Sequence, residues 1–343
     1  MAVSLRDVAD AAGVSIATAS RALGGKGRVS EASMRLVRET ADRLGYRVNA
    51  LGKALREGSD GVVGIVVPMV SNPFYASLVH EFEDQLSSRN LKLLIADSHG
   101  ELDREVERLE ALAGRRVRGI FVVPAYFDRS RPTITKIARQ LPLVQVDRRV
   151  EDDATLTFVG VDNADGVEQI LRHVSGQGAG TVVFVGADDR TSVGRERARA
   201  FSRGVEQFGL TAQRPVIDRY LFEFGLSAAN RLLRRSKLPD AVIAGDDLIA
   251  TGLLAGFARH GVAVPDELLI TGFDGTILAD ICNPTLTTVA QPMAKIAEVA
   301  VAHLMQQIDD AGAAGPHVRL RATLRPGGST GRRPARPAAH SAT

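Results

Sequence analysis

The stretch LRDVADAAGVSIATASRAL, residues 5–23, contains two short amphipathic segments separated by a glycine. Ser4 stands where a first helix would begin and Gly13 where it would end, because serine caps helix N-termini and glycine favours the residue after a helix. Ser15 can cap a second helix in the same way. Apolar residues recur at helical spacing in both segments: Leu5, Val8, Ala9 and Ala12 in the first, and Ile16, Ala19, Ala22 and Leu23 in the second.

A third helix is predicted after the loop GGKGRV, residues 24–29. Ser30 can cap it, and Gly45 can follow its last residue. Its inward residues would be Met34, Val37, Ala41 and Leu44. Two helices joined by a turn of about four residues and followed by a third form the helix-turn-helix arrangement, which places its second helix in the major groove of DNA.

The excess positive charge lies at the two ends of the chain. Residues 1–60 carry ten Lys or Arg against seven Asp or Glu, and the final stretch PGGSTGRRPARPAAHSAT adds three arginines. The formal net charge of all 343 residues is only +3. This distribution is a weak electrostatic sign of DNA binding, and a solvated surface explains it about as well.

From residue 61 onward, apolar strands alternate with amphipathic helices. The predicted strands cover 62–68, 91–96, 118–124, 143–147, 157–162, 181–186, 241–246 and 268–274, and the predicted helices include 76–89, 101–113, 163–175, 195–208, 247–260 and 294–309. Such alternation predicts parallel sheets covered on both faces, and the segment exceeds one comfortable core, so we expect two α/β lobes. Several strands end in Asp or Pro, and ligands bind beyond the carboxyl ends of such strands, so a cleft between the lobes is the predicted site.

The composition also suggests where the domains begin and end. Residues 46–60, YRVNALGKALREGSD, carry few core residues and two glycines, as a linker would, and the last residues are rich in Pro, Gly, Ser and Arg. We therefore predict a DNA-binding headpiece at 1–47, a hinge at 48–60, a core at 61–330 and a disordered tail at 331–343. Within the core, lobe 1 is expected at about 61–160 and 291–319, and lobe 2 at about 161–290 and 320–330.

A helix-turn-helix, a linker and a two-lobed α/β core follow one another along the chain. With this organisation, the chain resembles the LacI/GalR family of bacterial transcription regulators over residues 4–330. LRDVADAAGVSIATASRAL resembles the family's L-x-D-V-A-x-x-A-G-V-S-x-x-T-V-S-R-x-L signature, and YRVNALGKAL resembles its hinge. RERARAF, AVIAGDDLIATG, VPDELLITGFDG and PTLTTVAQP resemble the family's core motifs in order and spacing. The resemblance implies an α/β chain with a three-helix DNA-binding domain, a hinge and a two-lobed core like that of periplasmic binding proteins.

The resemblance places the DNA-reading residues on the second helix. The positions that choose the base sequence are Ile16 and Ala17, and neither side chain can form a hydrogen bond, so an apolar contact to a thymine methyl is the expected one. Arg21 is then the main polar reader, with a bidentate contact to guanine. Ser15, Thr18 and Ser20 occupy positions that touch phosphates or brace the helix. Ile16 has a second interpretation, in which it only steadies the helix from its inner face.

The hinge resembles a segment that folds into a helix on operator DNA, with Asn49, Ala54 and Leu55 as contact residues. Leu55 stands where the family wedges a leucine into the minor groove, which unstacks a base step and bends the duplex. Val48 replaces the usual proline, and Gly52 replaces alanine. Glycine lowers helix stability by ~1 kcal/mol relative to alanine, so we expect a hinge that folds less readily.

The resemblance also implies an effector site in the cleft. Asp147, Arg197, Asp246 and Asp274 are its charged members, and one guanidinium with several carboxylates suits a hydroxyl-rich molecule. Asp246 stands where the family usually has asparagine, which removes a donor and adds a charge. Asp247 is interpreted as a helix cap. The remaining candidates for the wall of the cleft are Asn72, Phe74, Phe222 and Gln291, although an aromatic residue such as Phe222 is almost as often core.

Enzyme signatures are absent from the sequence. There is no G-x-x-x-x-G-K-[ST] loop and no G-x-S-x-G elbow, and the seven histidines show no metal-ligand spacing. Asp246 and Asp247 could suggest paired acid and base catalysis, but neighbours at a strand–helix junction point elsewhere. We therefore expect no catalytic residue, no metal and no cofactor. The single cysteine excludes a disulfide framework, and without an apolar run near ~18 residues or a signal segment we expect a cytoplasmic protein.

These observations predict a regulator, most readily a repressor, that binds palindromic double-stranded operator DNA as a homodimer. A small-molecule effector in the cleft, expected to be a sugar or sugar derivative, would control it without any membrane partner. A nucleoside, a nucleobase or a protein co-regulator is the alternative controlling partner. A receptor that only binds ligand is the more distant alternative, because such receptors carry an export signal and no helix-turn-helix.

Overall fold

The computed structural model describes residues 3–24, 29–46, 61–151, 155–310 and 315–331. The chain divides into two compact units, residues 1–60 and 61–343. The hinge residues Val48, Asn49, Gly52, Ala54 and Leu55 lie outside the described residues, as does the tail beyond Gly331.

The first unit contains three helices, α1 (Leu5–Ala11), α2 (Ile16–Gly24) and α3 (Glu31–Arg43). Ser4 caps α1 in a capping box, in which its hydroxyl accepts from the Asp7 amide and Asp7 accepts from the Ser4 amide. The Ser15 hydroxyl accepts from the Thr18 amide at 3.1 Å, and Ser30 caps α3. Gly13 and Gly45 follow α1 and α3 at positive φ, as the sequence predicts. The three helices enclose a small core of Val8, Ala9, Ala12, Ala19, Ala22, Val37 and Ala41.

The second unit contains two sheets. The first has the spatial order β12-β5-β4-β3-β1-β2 and is parallel throughout. Its strands are β1 (Val62–Val67), β2 (Lys92–Asp97), β3 (Ile120–Val122), β4 (Leu143–Val146), β5 (Thr157–Val161) and β12 (His317–Leu320). Apart from the two edge strands β2 and β12, these strands are almost continuously buried, as expected of a parallel sheet covered on both faces.

The second sheet has the order β13-β11-β10-β9-β6-β7, with β8 also paired to β6. Only the pair β11–β13 is antiparallel. Its strands are β6 (Thr181–Ala187), β7 (Thr211–Ala212), β8 (Val216–Asp218), β9 (Ala241–Ala244), β10 (Leu269–Asp274), β11 (Thr287–Ala290) and β13 (Thr323–Arg325). The chain therefore crosses between the two sheets after β5, after β11 and after β12.

Helices cover the faces of both sheets. They are α4 (Pro73–Ser87), α5 (Leu102–Gly114), α6 (Arg131–Ala138), α7 (Asn163–Gly176), α8 (Ser192–Gln207), α9 (Phe222–Leu233), α10 (Asp247–Ala258), α11 (Ile277–Ile281) and α12 (Met293–Asp309). Each helix predicted from the sequence is present within three residues of its expected bounds. None of the helices in the described ranges is long and apolar enough to span a membrane.

Helices α9 and α10 approach each other very closely at two glycines. A Cβ atom on Gly225 would lie 2.3 Å from the Ile249 carbonyl oxygen, and one on Gly252 would lie 2.2 Å from the Phe222 carbonyl oxygen. Both distances are far below van der Waals contact, so any larger residue would force the helices apart. This contact fixes the position of the two loops that precede these helices, and both loops reach the cleft described below.

Candidate DNA interface and effector cleft

The exposed side of α2 is formed by Ile16, Ala17, Ser20 and Arg21. These residues lie within roughly 140° of one another, because successive helical residues are rotated by about 100°. Ile16 is 42% exposed, and Ala17 and Arg21 are exposed as well. The side of α2 that could enter a DNA groove therefore carries one large apolar residue, two small residues and one arginine.

Burial determines which residues of α2 can face DNA. The apolar spacing puts Ile16 on the inner face, whereas its side chain is exposed, because the buried stripe is centred on Ala19 and Ala22 and Ile16 lies at its border. Ala19 and Ala22 are completely buried, so neither can face DNA. The small residues on the exposed side of α2 are Ala17 and Ser20.

The polar residues of α2 differ in how they are held. The hydroxyls of Ser15 and Thr18 lie 2.8 Å apart, which braces the first turn. The Nε atom of Arg21 donates to the Ala17 carbonyl at 3.2 Å, so the side chain lies along its own helix. Its two terminal nitrogens make no hydrogen bond to any described residue, so they are available as donors on this exposed side.

The second unit contains two adjoining cavities at the carboxyl ends of its strands. The larger, about 130 Å³, is lined by residues that follow β1, β2, β3, β4, β6 and β8. The smaller, about 20 Å³, is lined by Asn72, Phe74, Tyr75, Asp147, Arg148, Val193, Arg197, Tyr220, Asp246 and Asp274. We call them the outer and the inner cavity. Both sheets contribute, so the cavities lie in a cleft between two lobes.

Arg197 is the centre of the inner cavity. It lies in the second turn of α8 and is 2% exposed. Its Nε donates to the Asn163 side chain at 2.8 Å, one terminal nitrogen donates to the Gly245 carbonyl, and the other lies 3.5 Å from the Asp274 carboxylate. The guanidinium also packs against the Phe273 ring, 3.6 Å from its centre. All three guanidinium nitrogens of Arg197 therefore face partners in lobe 2.

Two aspartates of the cleft have unusual backbone conformations. Asp147 follows β4 at φ +61°, and Asp274 ends β10 at φ +120°. Non-glycine residues rarely adopt these values, and such outliers concentrate at ligand sites. The Tyr75 hydroxyl donates to Asp147 at 3.2 Å, and the Gln291 amide donates to Asp274 at 2.8 Å.

The roles of Asp246 and Asp247 differ from the interpretation of the sequence. Asp246, not Asp247, caps α10, because its carboxylate accepts from the Ile249 amide at 2.7 Å. Asp247 lies in the first turn and is buried, and it accepts from Thr276 and from the Thr288 hydroxyl. The cap is therefore the residue that lines the inner cavity, whereas Asp247 connects α10 to the loop after β10 and to β11.

Burial controls the ionisation of these carboxyl groups. Loss of solvent raises the pKa of Asp246 to about 7, and the neighbouring Asp247 adds to the rise. Burial also raises the pKa of Asp274 well above its usual value, although the Arg197 guanidinium opposes this, and it raises the pKa of Asp147. Asp246 is consequently able to hold a proton near pH 7, so its carboxyl group can serve as a donor as well as an acceptor.

The helix-turn-helix and the two-lobed core both have counterparts among known proteins. The lacI family of bacterial regulatory proteins matches residues 4–49, and the periplasmic binding protein-like domain matches residues 171–330. The HTH-type transcriptional regulator DegA of Bacillus subtilis is 30% identical over 297 residues, which cover 85% of this chain and 88% of that protein. The chain belongs to the lacI family.

Two further proteins are similar to this chain, one in sequence and one in fold. Catabolite control protein A of Priestia megaterium is 29% identical over 308 residues, or 88% of this chain and 91% of that protein. The crystal structure of the lac repressor dimer bound to operator and the anti-inducer ONPF has the same fold, with a TM-score of 0.86, 18% identity, and coverage of 96% of this chain and 99% of that one. The predicted family and fold class are confirmed, and the lacI-family chain is a regulatory protein rather than an enzyme.

Most of the predicted effector residues lie together in the inner cavity. Asp147, Arg197, Asp246 and Asp274 line the inner cavity with Asn72 and Phe74. Asn72 also caps α4 through the Phe74 amide. Gln291 contacts the site only through Asp274, and Phe222, the first residue of α9, lines neither of the two cavities.

Tyr75, Arg148 and Tyr220 were not predicted, yet they line both cavities. The Arg148 guanidinium lies 5.9 Å from the centre of the Tyr75 ring and 5.4 Å from that of Tyr220, which come from lobe 1 and lobe 2. The sequence offered one signal, since Arg148 directly follows Asp147 at the end of a strand. The two tyrosines lie 145 positions apart and meet only in the folded core. Across the described residues, no cluster of His, Cys, Asp and Glu side chains is arranged to hold a metal.

Proposed function

We propose that this lacI-family chain is a transcriptional repressor that binds a palindromic operator in double-stranded DNA as a homodimer. In the proposal, a small molecule in the cleft, a sugar or sugar derivative, controls operator affinity. The observation that carries the DNA-binding part is the exposed side of α2, where Ile16, Ala17, Ser20 and Arg21 face solvent while the opposite side packs in the core. Operator DNA would place such a protein in the cytoplasm.

In the DNA complex, we assign Arg21 as the polar base reader. Its terminal nitrogens are without partners among the described residues, so they are available for a bidentate contact to guanine. Ile16 is exposed enough to touch a thymine methyl, which favours the reading role over the steadying one. Ser15 and Thr18 would hold the helix start against phosphates, and Asn49, Ala54 and Leu55 would act in the hinge.

The effector part rests on the inner cavity. Three buried carboxyl groups and two buried arginines converge there from both lobes, and buried charges of this kind are characteristic of ligand sites. An effector that contacts both lobes would favour one arrangement of the lobes over others. The resulting coupling to operator affinity would be ~1–3 kcal/mol, which is typical of such systems.

Dimerisation is supported by exposed apolar residues of the second unit. Ile95 on the edge strand β2 is 45% exposed, and Ile277 and Ile281 on α11 are 60% and 68% exposed. Ile277 and Ile281 are four positions apart and so share one side of the helix. A two-fold arrangement would also supply two copies of α2, one for each half-site. The lac repressor, whose fold this chain shares, has been seen as a dimer on its operator.

The proposal is tested in two steps. Selection of bound sequences from random double-stranded DNA should yield an inverted repeat, and sedimentation should show two chains on each DNA. A mixture without symmetry, or a monomeric complex, would contradict the DNA-binding proposal.

The second step screens sugars, sugar phosphates, nucleosides and nucleobases by thermal shift. Each compound that binds is then added to the operator complex. A sugar-type compound that changes operator affinity supports the effector assignment. If only a nucleoside or nucleobase changes it, the regulator is retained and the effector class is rejected.

A further inference from the structure

Lobe 2 carries a groove that shares no residue with the inner or the outer cavity. The groove has a volume of about 1040 Å³ and lies between the segment that leads into β8 and the end of α9. We call it the basic groove, and its lining residues are Gln213, Arg214, Pro215, Val216, Ile217, Arg231, Arg235, Ser236 and Lys237. Neither the proposed operator contacts nor the proposed effector contacts involve these residues.

The basic groove is lined by four positive side chains and no acidic one. Arg214, Arg231 and Lys237 are exposed, and none of the three forms an ion pair with a described carboxylate. Exposed cations elsewhere on the core, such as Arg172 and Lys295, are paired with a glutamate. Like charges that lie close together repel one another, and a bound anion relieves this repulsion. The charge of the groove therefore favours an anionic partner.

Arg235 connects the two walls of the basic groove. One of its terminal nitrogens donates to the Gln213 side chain at 2.9 Å, and the other donates to the Arg214 carbonyl at 2.8 Å. The Gln213 amide in turn donates to the Lys237 carbonyl at 3.2 Å. These acceptors are neutral, so they leave the charge of Arg235 uncompensated, and both burial and the nearby Arg214 lower its pKa. Hydrogen bonds thus hold together the segments that carry the positive charges.

The end of α9 explains only part of this charge. Cations in the last turn of a helix interact favourably with the helix dipole, and Arg231 occupies that turn. Arg214 lies between β7 and β8, outside any helix, and it adds to the positive charge beside Arg235 instead of relieving it. Stabilisation of the helix end therefore does not account for the whole groove.

The apolar residues and the size of the basic groove indicate which kind of anion it fits. Ile217 is 37% exposed and lines the groove together with Pro215. A DNA backbone has no apolar group to cover these side chains, whereas a peptide can carry both carboxylates and apolar side chains. A cavity of about 150 Å³ already holds a molecule as large as benzene, so the groove suits a segment of chain rather than one small ion. The residues after Gly331 carry three arginines and no acid, so their charge does not suit the groove.

We propose that the basic groove docks an extended acidic segment of a partner protein. The carboxylates of this segment accept hydrogen bonds from Arg214, Arg231 and Lys237, and one of its apolar side chains covers Ile217. Arginine binds a carboxylate with two parallel hydrogen bonds, so the docking has a defined geometry as well as opposite charge. The inference goes beyond the proposed function, because binding of operator and effector requires neither this groove nor its partner.

Synthetic peptides test the inference on the full chain. The probe is a fluorescein-labelled peptide of Asp and Glu residues with one central leucine, and the reference peptide has Asn and Gln in place of the acids. Fluorescence anisotropy is measured at an ionic strength of about 0.15 M, at which long-range attraction is screened. The acidic peptide should bind at least tenfold more tightly than the reference peptide. Arg214→Gln combined with Lys237→Gln should weaken this binding at least fivefold.

Arg172→Gln combined with Lys295→Gln is the matched control, because it also removes two exposed positive charges but takes them from ion pairs outside the groove. It should change the affinity less than twofold. An equal loss in both double variants would mean attraction by net charge alone, and equal binding of the two peptides would mean that carboxylates have no role. Either result overturns the inference.

Two further measurements locate the peptide. Ile217→Ser should weaken binding of the leucine peptide at least threefold and leave unchanged the binding of a peptide with serine in place of that leucine. Carbodiimide, which joins a carboxylate to a lysine amine in direct contact, should crosslink the acidic peptide to Lys237. Crosslinks only at other lysines, or an equal effect of Ile217→Ser on both peptides, overturn the inference.

Double-stranded DNA without an operator tests the other polyanion that this protein could meet. Arg214→Gln combined with Lys237→Gln should leave the binding of this DNA unchanged. If the double variant weakens it as much as it weakens the binding of the acidic peptide, the groove contacts DNA and the inference is overturned. Operator binding of each variant, measured in parallel by gel shift, reports separately whether the regulator function holds.

Discussion

The Arg197 guanidinium lies 3.5 Å from the Asp274 carboxylate, and both side chains are buried. The same guanidinium holds Asn163 and the Gly245 carbonyl, so one side chain connects α7, α8, β10 and the loop after β9. Arg197 is consequently a structural element of lobe 2 as well as a candidate ligand contact. Loss of the effector response in an Arg197 variant would not by itself identify a ligand contact.

Arg197→Ala should lower the free energy of unfolding of the core by about 3–5 kcal/mol, because it leaves Asp274 buried without its cation. Chemical denaturation followed by circular dichroism measures this loss. Arg172→Ala is the control, since Arg172 forms an exposed pair with Glu168 that contributes ~0.5 kcal/mol or less. A loss below ~1 kcal/mol in Arg197→Ala would contradict the structural role.

Asp246→Asn should stabilise the effector-free core at pH 8 and flatten its pH dependence. Burial raises the folded-state pKa of Asp246 to about 7, whereas an unfolded aspartate titrates near ~3.9. The folded chain therefore binds more protons than the unfolded chain between these values, and its stability decreases as the pH rises through this window. Asparagine keeps the acceptor that caps α10 and removes the charge.

Thermal unfolding of both proteins between pH 5.5 and 8.5 measures this effect. The Tm of Asp246→Asn should exceed that of the wild type at pH 8 by at least about 2–4 °C, the shift expected for ~1 kcal/mol in a unit of this size. The difference should become smaller as the pH is lowered to 5.5, and it should vanish only near pH ~4, where the unfolded aspartate is protonated as well. A constant difference at every pH would show that the ionisation of Asp246 does not contribute.

Arg21→Ala should weaken operator binding by ~1–3 kcal/mol and relax the sequence preference at a single base pair, because one bidentate contact is lost. Competition binding with operators mutated at each position measures the change. Arg38→Ala on α3 is the control, since Arg38 is exposed but lies off the α2 surface. An equal loss for all sequences in Arg21→Ala would assign Arg21 to phosphate contact instead.

Ile16→Ala and Ala19→Leu separate the outer from the inner side of α2. Ile16 is exposed, so Ile16→Ala should change stability by less than ~0.5 kcal/mol but reduce the affinity for operators that carry thymine at its position. Ala19 is completely buried, so Ala19→Leu should destabilise the first unit by ~1–3 kcal/mol through overpacking. The helical signal of the full chain during heating distinguishes them. The reverse order of stabilities would place Ile16 in the core.

Gly252→Ala should destabilise the core by at least ~1–3 kcal/mol, because the new methyl group would overlap the Phe222 carbonyl of α9. Gly176→Ala is the matched control, since Gly176 also lies in a helix but has open space around it. Alanine there should be neutral or stabilising by up to ~1 kcal/mol. Denaturant midpoints measure both variants, and similar values would show that α9 and α10 can separate without cost.

Local signals determined the helices and strands. The caps Ser4, Ser15 and Ser30 and the glycines after α1 and α3 act within a few residues, so their effect can be read directly from the sequence. The apolar strands that end in Asp147 and Asp274 likewise predicted which residues reach the cleft, since parallel strands bring their carboxyl ends to one edge. The shorter elements β7, β8, β12 and α11 carry too few periodic residues to be predicted in this way.

Tertiary packing decided the rest, because burial depends on contacts between distant segments. Helical spacing alone could not place Ile16, since the border of the buried stripe depends on how α1 and α3 pack against α2. The cap of α10 is Asp246, one residue before Asp247, which the sequence had suggested. The sequence determined that this is a lacI-family regulator with a polar cleft. Only the folded core brings Tyr75 and Tyr220 to the two sides of Arg148. The Nε of this buried arginine has no acceptor among the described residues.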